Sequence, residues 1–98
     1  MKRLYNCQAW YDRGGLVSYN TRVITINTYV DDNGKVINDI VMYNYRSNTT
    51  LSHIRKYIRL LNEQCKYELA RKVQILYDYA NKHRNQQFIY MTVRGDLQ

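Results

Sequence analysis

Residues 51–80 read LSHIRKYIRLLNEQCKYELARKVQILYDYA, with apolar or small side chains at Leu51, Ile54, Ile58, Leu61, Cys65, Leu69, Val73, Leu76 and Ala80. Every step between them is three or four residues, the period of one face of an α-helix. Phase is never lost. At 1.5 Å per residue a single helix over this stretch spans about 45–50 Å, more than one small domain covers, so its overhang needs a second subunit. The alternative is a break near Asn62–Lys66 that folds two helices onto one sheet. A broken helix has no reason to keep phase, and an unbroken one has no intramolecular partner, so the pattern leaves both readings open. An exposed stripe is stable only when buried, and a homodimer is the expectation that follows.

Upstream, Ser47-Asn48-Thr49-Thr50 supplies N-cap candidates, and Lys82-His83-Arg84-Asn85 ends the helical stretch with cations suited to its negative end. Leu4 to Tyr11 alternates, with Tyr5, Cys7, Ala9 and Tyr11 on one side of an expected strand. Asp12-Arg13-Gly14-Gly15 reads as a turn and Leu16 to Thr21 as renewed extended structure. Arg22 to Val30 is rich in β-branched residues, Asp31-Asp32-Asn33-Gly34 is a hairpin turn, and Val36 to Tyr45 is the returning strand. Gln87 to Val93 reads as a last strand and Gly95 to Gln98 as a tail. The expected class is α+β, a single domain over residues 1–98. It consists of an antiparallel meander of three to five strands with one long or two shorter helices on one face.

Charge is concentrated on the helical stretch. Residues 46–84 hold nine Lys and Arg against Glu63, Glu68 and Asp78, a local +6 in a chain whose total is +7. Such a field recruits polyanions, chiefly nucleic acid or an acidic protein face. Arg55, Lys56, Arg59, Lys66, Arg71 and Lys72 fall largely opposite the apolar stripe, and spacings of three and four put Arg55, Arg59 and Lys66 near one line that suits a phosphate backbone. An ordinary solvated face, with Glu68 and Lys72 paired at i, i+4, is the plainer account. Tyr67 and Tyr79, among eleven tyrosines, are interleaved with these cations and suit base stacking, whereas Tyr57 and Tyr77 border the stripe and suit core-edge packing. The candidate partner-binding set is therefore Arg55, Lys56, Arg59, Lys66, Tyr67, Arg71, Lys72 and Tyr79.

Chemistry-bearing motifs are missing. His53 and His83 lack neighbours at ligand spacing, no P-loop, G-x-G-x-x-G or nucleophile elbow occurs, and no catalytic, metal or cofactor site is expected. Asp31 and Asp32 are explained by the turn they open. Cys7 and Cys65 stand far apart without a CxxC partner and read as free buried thiols in a reducing compartment. No apolar run reaches the roughly 20 residues that span a bilayer, and Met1-Lys2-Arg3 starts no signal peptide, so the expected location is cytosolic.

Leu16-Val17-Ser18-Tyr19-Asn20-Thr21-Arg22-Val23, followed by Tyr45-Arg46-Ser47-Asn48-Thr49-Thr50-Leu51-Ser52-His53-Ile54, resembles a family of small uncharacterised bacteriophage proteins. Those carry an S-Y-[ND]-T-x-V strand and a Y-S-x-T-T-x-x-H helix start. The resemblance covers residues 16–58, with Arg46 inserted between Tyr45 and Ser47 and the basic segment 63–84 outside it. It implies a phage or mobile-element origin and no mechanism. Ser47, Thr49 and Thr50 would cap the helix, and His53, one turn in, would reach Tyr19 or Asn20.

The leading expectation is a non-enzymatic phage accessory protein, an anti-CRISPR-like inhibitor acting in the cytoplasm of the infected bacterial host. Its partner would be a host defence nuclease or nucleoprotein, met through the basic helical face. The runner-up is a DNA- or RNA-binding regulator that contacts nucleic acid directly. A structural or assembly protein is the third reading.

Overall fold

The computed structural model describes residues 1–44, 47–91 and 97. Among these residues six strands form one antiparallel sheet in sequence order: β1 (Lys2–Arg3), β2 (Ala9–Asp12), β3 (Gly15–Ser18), β4 (Thr21–Val30), β5 (Val36–Tyr43) and β6 (Phe88–Met91). Two helices, α1 (Asn48–Glu63) and α2 (Tyr67–Lys82), are inserted between β5 and β6. The α+β class and the meander are as expected, with one strand more than the upper expected number. The extra strand arises because Leu4 to Gln8 is not extended. Tyr5 adopts φ 49°, Cys7 N donates to Leu4 O, and Leu4 N donates to Ala9 O, so the first half of the expected first strand is instead the turn that joins β1 to β2. Tyr45, Arg46, the end of the expected last strand at Thr92 and Val93, and the tail apart from Leu97 lie outside the described residues.

Two helices, and not one, resolve the ambiguity of the 51–80 stripe. The chain reverses at Gln64–Lys66, where Cys65 has φ 60°. Cys65 N donates to Asn62 O and Lys66 N to Leu61 O. This paired bonding is the Schellman termination of a helix, with Cys65 in the left-handed position that glycine usually fills. An unbroken helix over 51–80 of about 45 Å would also exceed the molecule's longest dimension of 40 Å. Ile54, Ile58 and Leu61 of α1, and Val73, Leu76 and Ala80 of α2, are buried in one core with Leu16, Ile24, Ile40, Met42, Ile89 and Met91. The stripe is covered by the chain's own sheet, so it needs no second subunit. Tyr57 joins this core at 2% exposure. Cys65, counted in the stripe and expected to be buried, is exposed, while Cys7 is half-buried; both thiols are free.

Side chains fix each end of the helical hairpin. Ser47 caps α1 by accepting a hydrogen bond from Thr50 N at 3.0 Å, as its position in the sequence foretold. Asn44, at the end of β5, directs its Nδ2 at the carbonyls of Ala80, His83 and Gln86, closing the C-terminal end of α2. On the sheet, the register shifts between Leu16 and Val17, and the consecutive Val23 and Ile24 are both buried. The alternate positions on the face away from the helices carry Trp10, Val17, Val41, Tyr43, Phe88 and Tyr90, with the Tyr43 and Phe88 rings stacked at 5.1 Å.

Candidate nucleic-acid interface

The reversal at Gln64–Lys66 divides the candidate residues. Arg55, Lys56 and Arg59 stand exposed on α1, whereas Lys66 lies past the break at the head of α2. The expected line through Arg55, Arg59 and Lys66 along one helix is therefore not formed. Arg55 Nη1 donates to Tyr77 Oη at 2.9 Å across the two helices, which holds its guanidinium at the helix seam. Arg59 Nε donates to Glu63 Oε1 at 3.1 Å, and its guanidinium sits 5.1 Å from the centre of the Tyr5 ring. Tyr5 Oη in turn donates to Glu63 Oε2 at 2.7 Å. Desolvation first, and then the Glu63 carboxylate, raise the Tyr5 phenol above its ordinary value.

On α2, Arg71 is tied to Glu68 by contacts of 2.8 and 3.4 Å, so the expected Glu68–Lys72 pair is replaced by an i, i+3 one. The Arg71 guanidinium lowers the Glu68 carboxyl below its usual range. Arg71 borders a shallow groove between the helices with Ile58, Asn62, Tyr67 and Gln74. Tyr79 is half-buried and stacked on His83 with ring centres 3.8 Å apart, so one of its faces is already occupied and it offers a poor stacking platform. Tyr67, at 62% exposure, remains open.

Lys66, Tyr67 and Lys72 are brought together. They border a cavity of about 400 Å³ at the end of the layered core, where the sheet runs past the α1–α2 turn. Strand residues that the charge pattern did not single out complete it: Tyr11 and Arg13 from the β2–β3 hairpin, and Ile26, Thr28 and Asn38 from β4 and β5. Tyr57 and Leu61 line it from α1. Burial pushes the Tyr57 phenol up to about 12, so it stays protonated and able to donate at neutral pH. Arg13 stood outside the candidate set because its turn composition already accounted for it. Its proximity to Lys66 is a product of tertiary packing.

Of the Leu16–Val23 and Ser47–Ile54 stretches, Ser18 and His53 meet inside the protein. Ser18 Oγ lies 2.8 Å from His53 Nδ1 and 3.2 Å from Thr50 Oγ1, and the Tyr19 ring centre is 5.5 Å from that of His53. Ser18 and His53 are 2% and 3% exposed, which makes this a buried polar joint between β3 and α1 and not an accessible nucleophile. Among the described residues no three His, Cys, Asp or Glu side chains converge as metal ligands would, and no helix is long and apolar enough to cross a membrane.

Fold and surface together define a small α+β protein with a cation-rich helical hairpin. No family model, curated protein or solved structure matches the chain.

Proposed function

We propose that this chain is a binding protein that grips a polyanion through the cations of its helical hairpin, and that it serves as a small phage inhibitor of a host nucleic-acid machine. The observation that carries the reading is a surplus of unneutralised charge. Arg55, Lys56, Lys66, Lys72, Lys82 and Arg84 form no ion pair among the described residues, because Glu63 and Glu68 are taken by Arg59 and Arg71. Solubility alone asks for mixed charge of both signs, whereas the cations of residues 46–84 outnumber the acids nine to three. The resemblance of residues 16–58 to small phage proteins supports the inhibitor role, and the buried Ser18–His53 joint leaves that motif a structural part to play.

The test measures binding of labelled duplex, single-stranded DNA and a host CRISPR ribonucleoprotein as salt is raised. An inhibitor co-elutes with the ribonucleoprotein and ignores bare duplex, whereas a regulator of phage genes shifts bare duplex with a steep salt slope. Replacing Arg55, Lys56 and Arg59 by Glu should abolish whichever binding is present in a chain that still folds, with a lowered melting temperature because Arg55 loses its hydrogen bond to Tyr77 and Arg59 its pair with Glu63. Binding that survives this variant would reduce α1 to a solvated face.

A further inference from the structure

The cavity beside the α1–α2 turn has a composition unlike the rest of the surface. Arg13, Lys66 and Lys72 stand at its edge, and an adjoining hollow that shares Arg13 and Lys66 adds Lys2. Its two carboxylates are already engaged from outside. Asp12 receives two hydrogen bonds from the Arg22 guanidinium, both 3.1 Å, and Glu68 is held by Arg71. No ion pair involves Lys2, Arg13, Lys66 or Lys72 among the described residues, so the cavity is net positive. α2 opens at Lys66 with no side-chain cap, and Tyr67, Glu68 and Leu69, whose first-turn amides lack intrahelical partners, are among the residues bordering the cavity.

Positive charge alone would suit any anion, but the interior is apolar and aromatic. Tyr57, Leu61, Ile26 and Leu69 line it, and the exposed Tyr67 is among its bordering residues. At the strand end, Thr28 Oγ1 donates to Asn38 Oδ1 at 2.9 Å, which orients the Asn38 amide and leaves its nitrogen to donate. A volume of about 400 Å³ takes one small ligand and not a duplex. We propose that this cavity binds a single phosphorylated nucleoside, either free or as the phosphorylated end of a single strand. Arg13, Lys66 and Lys72 hold the phosphate, Tyr67 stacks on the base, and Asn38 hydrogen-bonds its edge.

This deepens the reading of the chain as a polyanion-binding protein and rests on it. Calorimetric titration with adenosine monophosphate, adenosine, inorganic phosphate and a short DNA strand carrying either a 5′-phosphate or a 5′-hydroxyl tests it. Adenosine monophosphate should bind more tightly than adenosine or phosphate alone. Lys66→Ala with Lys72→Ala should weaken it by about tenfold or more, on the scale of one good charged contact. Tyr67→Ala, at an exposed position, should weaken adenosine monophosphate and leave phosphate unchanged. Competition by the 5′-phosphorylated strand, and not by its 5′-hydroxyl counterpart, identifies a strand end as the ligand; failure to compete identifies a free nucleotide. Absent binding of adenosine monophosphate, binding no tighter than phosphate, or indifference to all three substitutions would overturn the proposal. If the wild-type chain binds a polyanion but not adenosine monophosphate, the cavity proposal alone fails. If it binds no polyanion, the broader reading fails.

Discussion

Ser18 Oγ lies 2.8 Å from His53 Nδ1, and the contact joins β3 to α1 where both are buried. Thr50, one turn earlier on α1, meets the same hydroxyl at 3.2 Å. A polar joint in an apolar core is stabilising only while each member is satisfied, and it fixes one registration of helix on sheet. Ser18→Ala should therefore destabilise the protein by about 1–3 kcal/mol, the cost of leaving a buried histidine nitrogen without its partner. Urea unfolding measures this. An unchanged midpoint would mean that the hydrogen bond contributes nothing to the fold.

The same histidine gives stability a pH dependence. Burial first, and then the positive charge of Lys56, hold the His53 imidazole below its ordinary value of 6.5. The unfolded chain therefore binds a proton at a pH where the folded one does not. The contribution of this group is complete above pH 6.5 and declines as pH falls below that value toward the depressed folded one. Urea midpoints at descending pH should fall in this window for the wild-type chain and stay flatter for His53→Gln, which keeps hydrogen-bonding capacity without the titration.

The two hairpin glycines with positive φ differ in what surrounds them. At Gly15, with φ +122°, an added Cβ would lie 1.9 Å from Ile24 O of the neighbouring strand, whereas at Gly34, with φ +79°, it would meet nothing within 4 Å. Gly15→Ala should cost more than about 4 kcal/mol or prevent folding, since backbone must move. Gly34→Ala should cost about 1–2 kcal/mol, the price of a left-handed residue alone. Thermal melting of both variants gives the comparison, and equal effects would refute the close approach at Gly15.

Much of this architecture was legible in local chemistry. Asp31 to Gly34 reads as a turn from its residues, and in the fold Asp31 Oδ1 accepts from Asn33 N and Lys35 N. Ser47 is one of the four N-cap candidates in Ser47–Thr50 and is the residue that caps α1. The helix break, one of two readings the pattern left open, stayed undecided for a physical reason. Its left-handed position carries Cys65 where glycine would announce a terminus, and the turn length happens to return Leu69 to the phase left by Leu61. Periodicity reports which side chains face a core, not whether the chain between them is straight. The candidate interface was legible as charge but not as shape. Lys66 and Lys72 stand out in the sequence, while Arg13, some fifty residues earlier, becomes their neighbour only when the β2–β3 hairpin packs beside the helix turn.

That same turn yields the last prediction. Cys65 holds φ 60°, a conformation that costs a residue with a Cβ about 1 kcal/mol or more relative to glycine. Its thiol is exposed and free, and its side-chain hydrogen bond is a 3.4 Å one accepted from Tyr67 Oη at the surface. Little is lost by removing it. Cys65→Gly should stabilise the protein by up to about 1 kcal/mol, with part of the gain offset by the greater freedom of glycine in the unfolded chain. Cys65→Asn, which tolerates the left-handed region, should be near neutral or mildly stabilising. Cys65→Val should destabilise, because a β-branched side chain fits this region worst. Guanidinium unfolding of the three variants reads the order directly. The order Gly, Asn, Cys, Val from most to least stable is expected, whereas Val at or above the wild-type chain would mean that the reversal between α1 and α2 does not pass through a left-handed residue.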